Sequence, residues 1–156
     1  MSRRKKAQKR EVSPDPIYRE IIVTQFINRL MLAGKKSLAE RKFYMALDII
    51  KDKLNEDPLE VFKQAIENVK PKIEVKTRRV GGANYQVPLQ VRPGRQQTLA
   101  FRWIVKYARK RNERRIENQL AGELMDAYKN QGASIDKRKE VWRMAEANKA
   151  FAHFRF

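Results

Sequence analysis

Along most of its length this chain repeats apolar residues every three to four positions, but between residues 73 and 91 the period drops to two. Ile73, Val75 and Thr77 alternate with Glu74, Lys76 and Arg78, and after Gly81-Gly82-Ala83-Asn84 the alternation resumes with Tyr85, Val87, Leu89 and Val91. A period of 3.6 marks a helix and a period of two a strand. These residues therefore predict a two-stranded hairpin around a glycine-rich turn. Pro88 cannot donate to a central ladder, so the ribbon keeps at least one free edge. A lone ribbon is marginal in water, so its base has to pack on helices while its tip projects. The expected fold class is mainly α: a single helical domain of about six helices, with a protruding β-hairpin at 72–92 between helices three and four.

The helices have local start and stop signals. Ser13-Pro14-Asp15-Pro16 predicts the opening of the first, with Asp15 as N-cap, Pro16 in the first turn and Gly34 at the end. Its apolar face is Tyr18, Ile21, Ile22, Phe26 and Leu30. Ser37 and Glu40 have capping-box spacing ahead of Phe43, Ala46, Leu47, Ile50 and Leu54. Asp57, Pro58 and Glu60 open a third helix that Pro71 stops. A fourth is predicted from Gln96 to Lys110, with Leu99, Trp103, Ile104 and Tyr107 inward and Arg102, Lys106 and Arg109 on another face. The fifth carries Ile116, Leu120, Leu124 and Ala127 and closes at Gly132; the sixth starts near Ser134 and carries Val141, Trp142 and Ala145. Trp103 and Trp142 are both expected in the core. Residues 1–12 read as a basic disordered arm, 13–150 as the helical domain and 151–156 as an aromatic and basic tail. Phe151, Phe154 and Phe156 either fold back as a plug or face a partner; the sequence leaves both open.

Charge points to the partner. Two segments hold +17 of the formal net charge of +18. One is the arm, with Arg3, Arg4, Lys5, Lys6, Lys9 and Arg10 and no acid in residues 1–10; the other is 72–115, with thirteen Lys or Arg against Glu74 and Glu113. Charge concentrated in this way suits a polyanion, because each neutralised phosphate releases condensed counterions. With no cysteine, disulfides, thiolate metal sites and cysteine nucleophiles are excluded, which fits a reducing interior. No apolar run approaches membrane-spanning length, and the basic N-terminus lacks the apolar stretch of a secretory signal.

Catalysis finds little support. His153 is the only histidine, so no histidine metal cluster exists, and a triad would hang on a residue beside the C-terminus. Asp15, Glu40, Asp57 and Glu60 fall at helix starts, and Glu113 and Glu117 lie beside Arg114 and Arg115, where ion pairing is expected. Gly81-Gly82 lacks the Lys-Ser/Thr of a phosphate loop. No cofactor is expected. The ribbon tip instead combines Arg78, Arg79, Gly81, Gly82, Ala83, Asn84 and Tyr85: guanidiniums for phosphate, a backbone that allows close approach and a ring for an unpaired base. Arg92, Arg95 and Arg102 continue this surface; Lys110, Arg111, Arg114 and Arg115 crowd the next helix junction; Lys35 and Lys36 form a smaller patch. Basic charge spread over an arm, a ribbon and a junction favours a folded RNA over duplex DNA only modestly.

The strings Val61-Phe62-Lys63-Gln64-Ala65-Ile66-Glu67-Asn68-Val69-Lys70-Pro71, Glu74-Val75, Arg78-Arg79-Val80-Gly81-Gly82-Ala83-Asn84-Tyr85-Gln86-Val87-Pro88 and Met144-Ala145-Glu146-Ala147-Asn148-Lys149-Ala150-Phe151-Ala152-His153, with Gly34-Lys35-Lys36 and Arg95-Gln96-Gln97, resemble the family of bacterial-type small-subunit ribosomal protein seven. The resemblance covers nearly the whole chain apart from the arm. It implies a non-enzymatic constituent of the small subunit that binds the 3′ major domain of 16S rRNA and nucleates assembly of the head. It places ribbon and C-terminal helix near the exit-site tRNA and the mRNA exit path. It implies rRNA contacts at the arm, Lys35, Lys36, Lys76, Arg78, Arg79, Arg95 and Arg102, to which the charge pattern adds Arg92, Lys110, Arg111, Arg114 and Arg115. The tRNA-facing set it implies is Arg79, Gly81, Gly82, Ala83, Asn84 and Tyr85 with His153 and Arg155, with the tail also expected to meet small-subunit protein eleven. Set against the family, the lack of the long N-terminal extension of archaeal and eukaryotic cytosolic members implies a bacterial or plastid type, and the expected place is the cytoplasm, in the ribosome. Repression of its own operon mRNA is a compatible second role; a DNA-bending protein and an RNA-acting enzyme are the rivals.

Overall fold

The computed structural model describes residues 11–154. Six α-helices run in order: α1 (Ile21–Leu30), α2 (Lys36–Leu54), α3 (Pro58–Val69), then, after a β-hairpin, α4 (Pro93–Ala108), α5 (Ile116–Tyr128) and α6 (Ala133–Ala147). The hairpin is β1 (Ile73–Val80) paired antiparallel with β2 (Ala83–Gln90), and a terminal 3₁₀ turn spans Lys149–Phe154. The mainly helical fold with one hairpin between the third and fourth helices is the one the periodicity predicts.

The core forms where the helical stripes converge. Phe26 of α1, Phe43 of α2 and Phe62 of α3 are fully buried, with Phe26 and Phe43 each 5.1 Å from Phe62, ring centre to ring centre. Phe101 of α4 meets Phe26 edge-on at 5.3 Å. Edge-to-face pairs add about 0.5–1.5 kcal/mol each beyond the burial of the rings. α5 packs on α2, α3 and α4, and its Leu120, Ala121, Leu124 and Ala127 are wholly buried. No helix among the described residues is long and apolar enough to cross a membrane.

Several boundaries differ from the sequence expectation. Asp15 caps a turn rather than α1: its Oδ2 accepts from the backbone N–H of Ile17 and Tyr18 at 3.0 and 2.9 Å. Arg19 then takes φ +54°, which turns the chain out of helical register, so α1 starts only after Glu20. Ser37 and Glu40 make no capping box, because α2 begins at Lys36 and leaves Ser37 inside the first turn; Glu40 pairs with Lys36 at 3.6 Å instead. Gly132 does not close α5; at φ +87° it is the N-cap of α6. Asp57 does cap α3, accepting from Leu59 N–H at 2.9 Å. Trp103 is buried as expected, but Trp142 is 57% exposed. It lies on the flank of the α6 stripe of Ile135, Val141 and Ala145, at a level where the neighbour is the ribbon base rather than the core.

Candidate nucleic-acid interface

The ribbon turn is two residues long, Gly81 and Gly82, since Val80 pairs with Ala83. Both glycines have positive φ, +58° and +89°, which lets the turn follow the strands' twist. A Cβ at either position would meet nothing within 4 Å, so backbone conformation rather than space requires glycine there. Ala83 and Asn84, read from sequence as part of the turn, are the first residues of β2. Because side chains alternate, Arg79 and its partner Asn84 share one face, while Arg78 and its partner Tyr85 share the other. Arg79 and Asn84 are exposed; Arg78 and Tyr85 are half-buried.

Tyr85 is half-buried because the tail folds back. Its ring centre lies 5.3 Å from Phe151 and 5.0 Å from Phe154, and Asn148 reaches Gln86 at 3.4 Å. Of the two readings of the tail, the structure takes the plug: the ring expected to meet an unpaired base meets two phenylalanines. His153 is exposed, and its Nδ1 lies 2.8 Å from the carbonyl of Ala150.

Among the thirteen cations of residues 72–115, only Lys76, Arg95 and Arg111 engage a described carboxylate. Lys76 and Arg95 share Glu74, at 3.1 and 2.9 Å. Burial would raise the Glu74 pKa, but these hydrogen bonds outweigh it and hold it below the ordinary carboxylate value. Arg92, Arg102, Lys110, Arg114 and Arg115 are exposed, so their charge faces solvent. Lys106 and Lys110 flank the Tyr107 ring, each 5.9 Å from its centre, and Arg109 donates to the Leu30 carbonyl at 2.7 Å. Lys35 and Lys36 are exposed in the α1–α2 connection and first turn.

Arg111 is different. Its guanidinium reaches Glu113 at 2.9 Å, Glu123 at 3.2 Å and Asp126 at 2.6 Å. Burial would lower its pKa; the hydrogen bonds to Asp126, Glu113 and Glu123 outweigh this and raise it. Glu123, 1% exposed, also accepts from the backbone N–H and hydroxyl of Ser134 at 3.0 and 2.6 Å. The clamp ties the α4–α5 loop to α5 and to the start of α6. The expected ion pairs of Glu113 and Glu117 with Arg114 and Arg115 are replaced: Glu113 takes Arg111, and Glu117 takes Lys42 of α2 at 3.2 Å, because its side chain turns inward. Sequence reasoning missed the clamp; a glycine in mid-helix, Gly122, was its one visible trace. Arg3, Arg4, Lys5, Lys6, Lys9, Arg10, Arg155 and Phe156 lie outside the described residues. No group of side chains among the described residues has the make-up of a metal site.

Fold and surface together define a small helical protein that projects a two-residue-turn ribbon and, among the described residues, leaves most of its central cations without a carboxylate. The chain belongs to the ribosomal protein S7p/S5e family, whose model matches residues 2–149. It is 59% identical to the small ribosomal subunit protein uS7 of Natranaerobius thermophilus over 156 residues, the whole of both chains. The proteins of the same name from Teredinibacter turnerae and Cellvibrio japonicus are 57% and 56% identical, again over the whole of both chains.

Proposed function

We propose that this chain is a structural constituent of the small subunit of cytoplasmic ribosomes, binding the 3′ major domain of 16S rRNA without catalysing a reaction. In this reading it binds early and nucleates assembly of the head, near the exit-site tRNA and the mRNA exit path. The observation that carries the reading is the run of cations on ribbon, α4 and the α4–α5 loop that no carboxylate among the described residues neutralises, in a chain of this family. Arg78, Arg79, Arg92, Arg102, Lys110, Arg114 and Arg115 are then backbone contacts that position the protein, while RNA shape supplies the specificity. Arg111 serves by holding the loop that presents Arg114 and Arg115, since its own charge is engaged. The ribbon tip at Arg79, Gly81, Gly82 and Asn84 faces tRNA, and the tail turn around His153 faces small-subunit protein eleven.

The test is binding to the folded 3′ major-domain rRNA at near-physiological salt with excess duplex DNA. Binding that survives supports recognition of RNA architecture; loss in proportion to DNA charge reduces it to electrostatics and reopens the DNA-bending reading. Arg78→Ala with Arg79→Ala is expected to weaken rRNA binding and flatten its salt dependence by up to about two units of slope. An unchanged slope removes the tip from the rRNA interface.

A further inference from the structure

We propose that the groove between the ribbon base and α6 binds one unpaired nucleotide of an RNA strand, its base stacked on Trp142 and its flanking phosphates held by Lys72 and Lys139. The inference rests on the RNA-binding reading above but concerns residues outside every contact set derived so far. Sequence reasoning places Trp142 in the core and gives neither lysine a contact.

The groove holds about 260 Å³ and is lined by Lys70, Pro71, Lys72, Ile73, Arg138 and Lys139 with Trp142. That is below the roughly 300–1,000 Å³ of ordinary small-molecule sites. It suits a single planar group entering from outside rather than an enclosed ligand. Four of the seven lining residues are cations and none is acidic, so the groove is complementary to an anion. Two of the cations are already engaged: Lys70 pairs with Glu67 at 2.6 Å, and Arg138 donates to the backbone carbonyl of Asn68. Lys72 and Lys139 are exposed, and among the described residues no carboxylate pairs with either. Trp142 lines the same groove at 57% exposure, and no other described ring stacks on it.

An indole in water beside free ammonium groups is the combination by which proteins hold unpaired nucleotides: a π-face accepts any base, and lysines follow the backbone. A duplex cannot use it, because its bases already stack on one another. The site is also rigid. Asn68 donates to the carbonyls of Ala127 and Tyr128, both at 3.0 Å, and Val91 N–H donates to the Lys72 carbonyl at 3.0 Å. These bonds, with Arg138 on Asn68, fix the strand entry against α5 and α6 before any ligand arrives.

The test uses the full chain, a short single-stranded oligoadenylate and tryptophan fluorescence. Trp103 is buried and supplies a constant background. Oligoadenylate is expected to quench the emission of the wild type and leave that of Trp142→Ala unchanged. Affinity, read from the anisotropy of end-labelled oligoadenylate, should fall roughly 5- to 150-fold in Trp142→Ala, with an unchanged salt slope, and Trp142→Phe should recover part of it. Lys72→Ala with Lys139→Ala should lower the slope by about 0.7 per lysine and leave the quenching at saturation intact. Absent quenching, equal affinity in Trp142→Ala, or equal quenching by duplex RNA overturns the proposal. Binding to folded rRNA is measured in parallel. If that persists without quenching, the groove alone fails; if quenching occurs without rRNA binding, the ribosomal reading fails and the groove stands.

Discussion

Gly122→Ala is expected to destabilise this protein, although the same change in most helix interiors stabilises it. Alanine in place of glycine within a helix contributes about 1 kcal/mol. At Gly122, however, the new Cβ would lie 2.9–3.0 Å from three atoms of the Arg111 guanidinium. A free arginine end would swing aside at little cost. This one is held by Glu113, Glu123 and Asp126, and Glu123 has almost no access to water. Removing one partner of a fully buried pair costs about 3–5 kcal/mol. Here the arginine side chain is 27% exposed and Glu123 keeps both Ser134 donors, so about 2 kcal/mol is the appropriate figure. The net change is then a loss of about 1 kcal/mol, or roughly 0.5 M in the urea midpoint. In an Arg111→Met background the obstruction is relieved, and Gly122→Ala should stabilise by up to about 1 kcal/mol. The assay is equilibrium urea unfolding of the four proteins in the cycle. Stabilisation by Gly122→Ala in both backgrounds would refute the reasoning, because the guanidinium would then be shown to move freely.

Asp15→Ala removes the acceptor of Ile17 N–H, Tyr18 N–H and the Tyr44 hydroxyl, the last at 2.6 Å, from a site only 2% exposed. Calorimetry should show a loss of roughly 2–4 kcal/mol and a Tm lower by about 5–12 °C, with Tyr44→Phe losing less. Burial would raise the Glu117 pKa, but a backbone hydrogen bond and Lys42 outweigh it and hold it below its ordinary value. Its stabilisation is therefore complete above the unfolded carboxylate pKa of about 4.3 and is lost as pH falls through the lower folded value. The stability gap between wild type and Glu117→Gln should shrink from about pH 6 to about pH 3; a widening gap contradicts the assignment. Phe151→Ala with Phe154→Ala uncovers Tyr85, and amide exchange in β2 should accelerate roughly 5- to 30-fold from the loss of two aromatic pairs. Unchanged exchange would mean that the tail gives the ribbon no support.

Where one local signal has one structural outcome, the sequence was readable. Asp57-Pro58 can only open a helix in this context, and the two alternating runs on either side of Gly81-Gly82 specify the hairpin, although the turn closes on the glycines alone and Ala83 and Asn84, read as turn, already belong to β2. Where a signal serves two outcomes, it failed. Asp15 accepts from the same relative N–H groups in an isolated turn as in a helix, and only the positive φ of Arg19 separates the cases. Trp142 lies almost level on the helix wheel with Ile135, which is fully buried two turns earlier. Periodicity reports an angle about one helix, not how far a neighbouring element extends along it. The cations of the interface were all visible as residues, but whether each faces solvent or a carboxylate depends on contacts distant in sequence. Arg111 with Glu123 and Asp126, and Lys42 with Glu117, show how those contacts decide it.

The cover over Tyr85 comes from residues 149–154, which are synthesised well after the strands they seal. During synthesis the ribbon therefore passes through a stage in which both strands exist, the turn can close, and one face remains bare. A two-stranded ribbon has little stability of its own. Its maturation is timed by the arrival of the 149–154 turn, so a ribosome paused before that turn emerges would carry a nascent protein complete in its phenylalanine core and incomplete at its projecting ribbon.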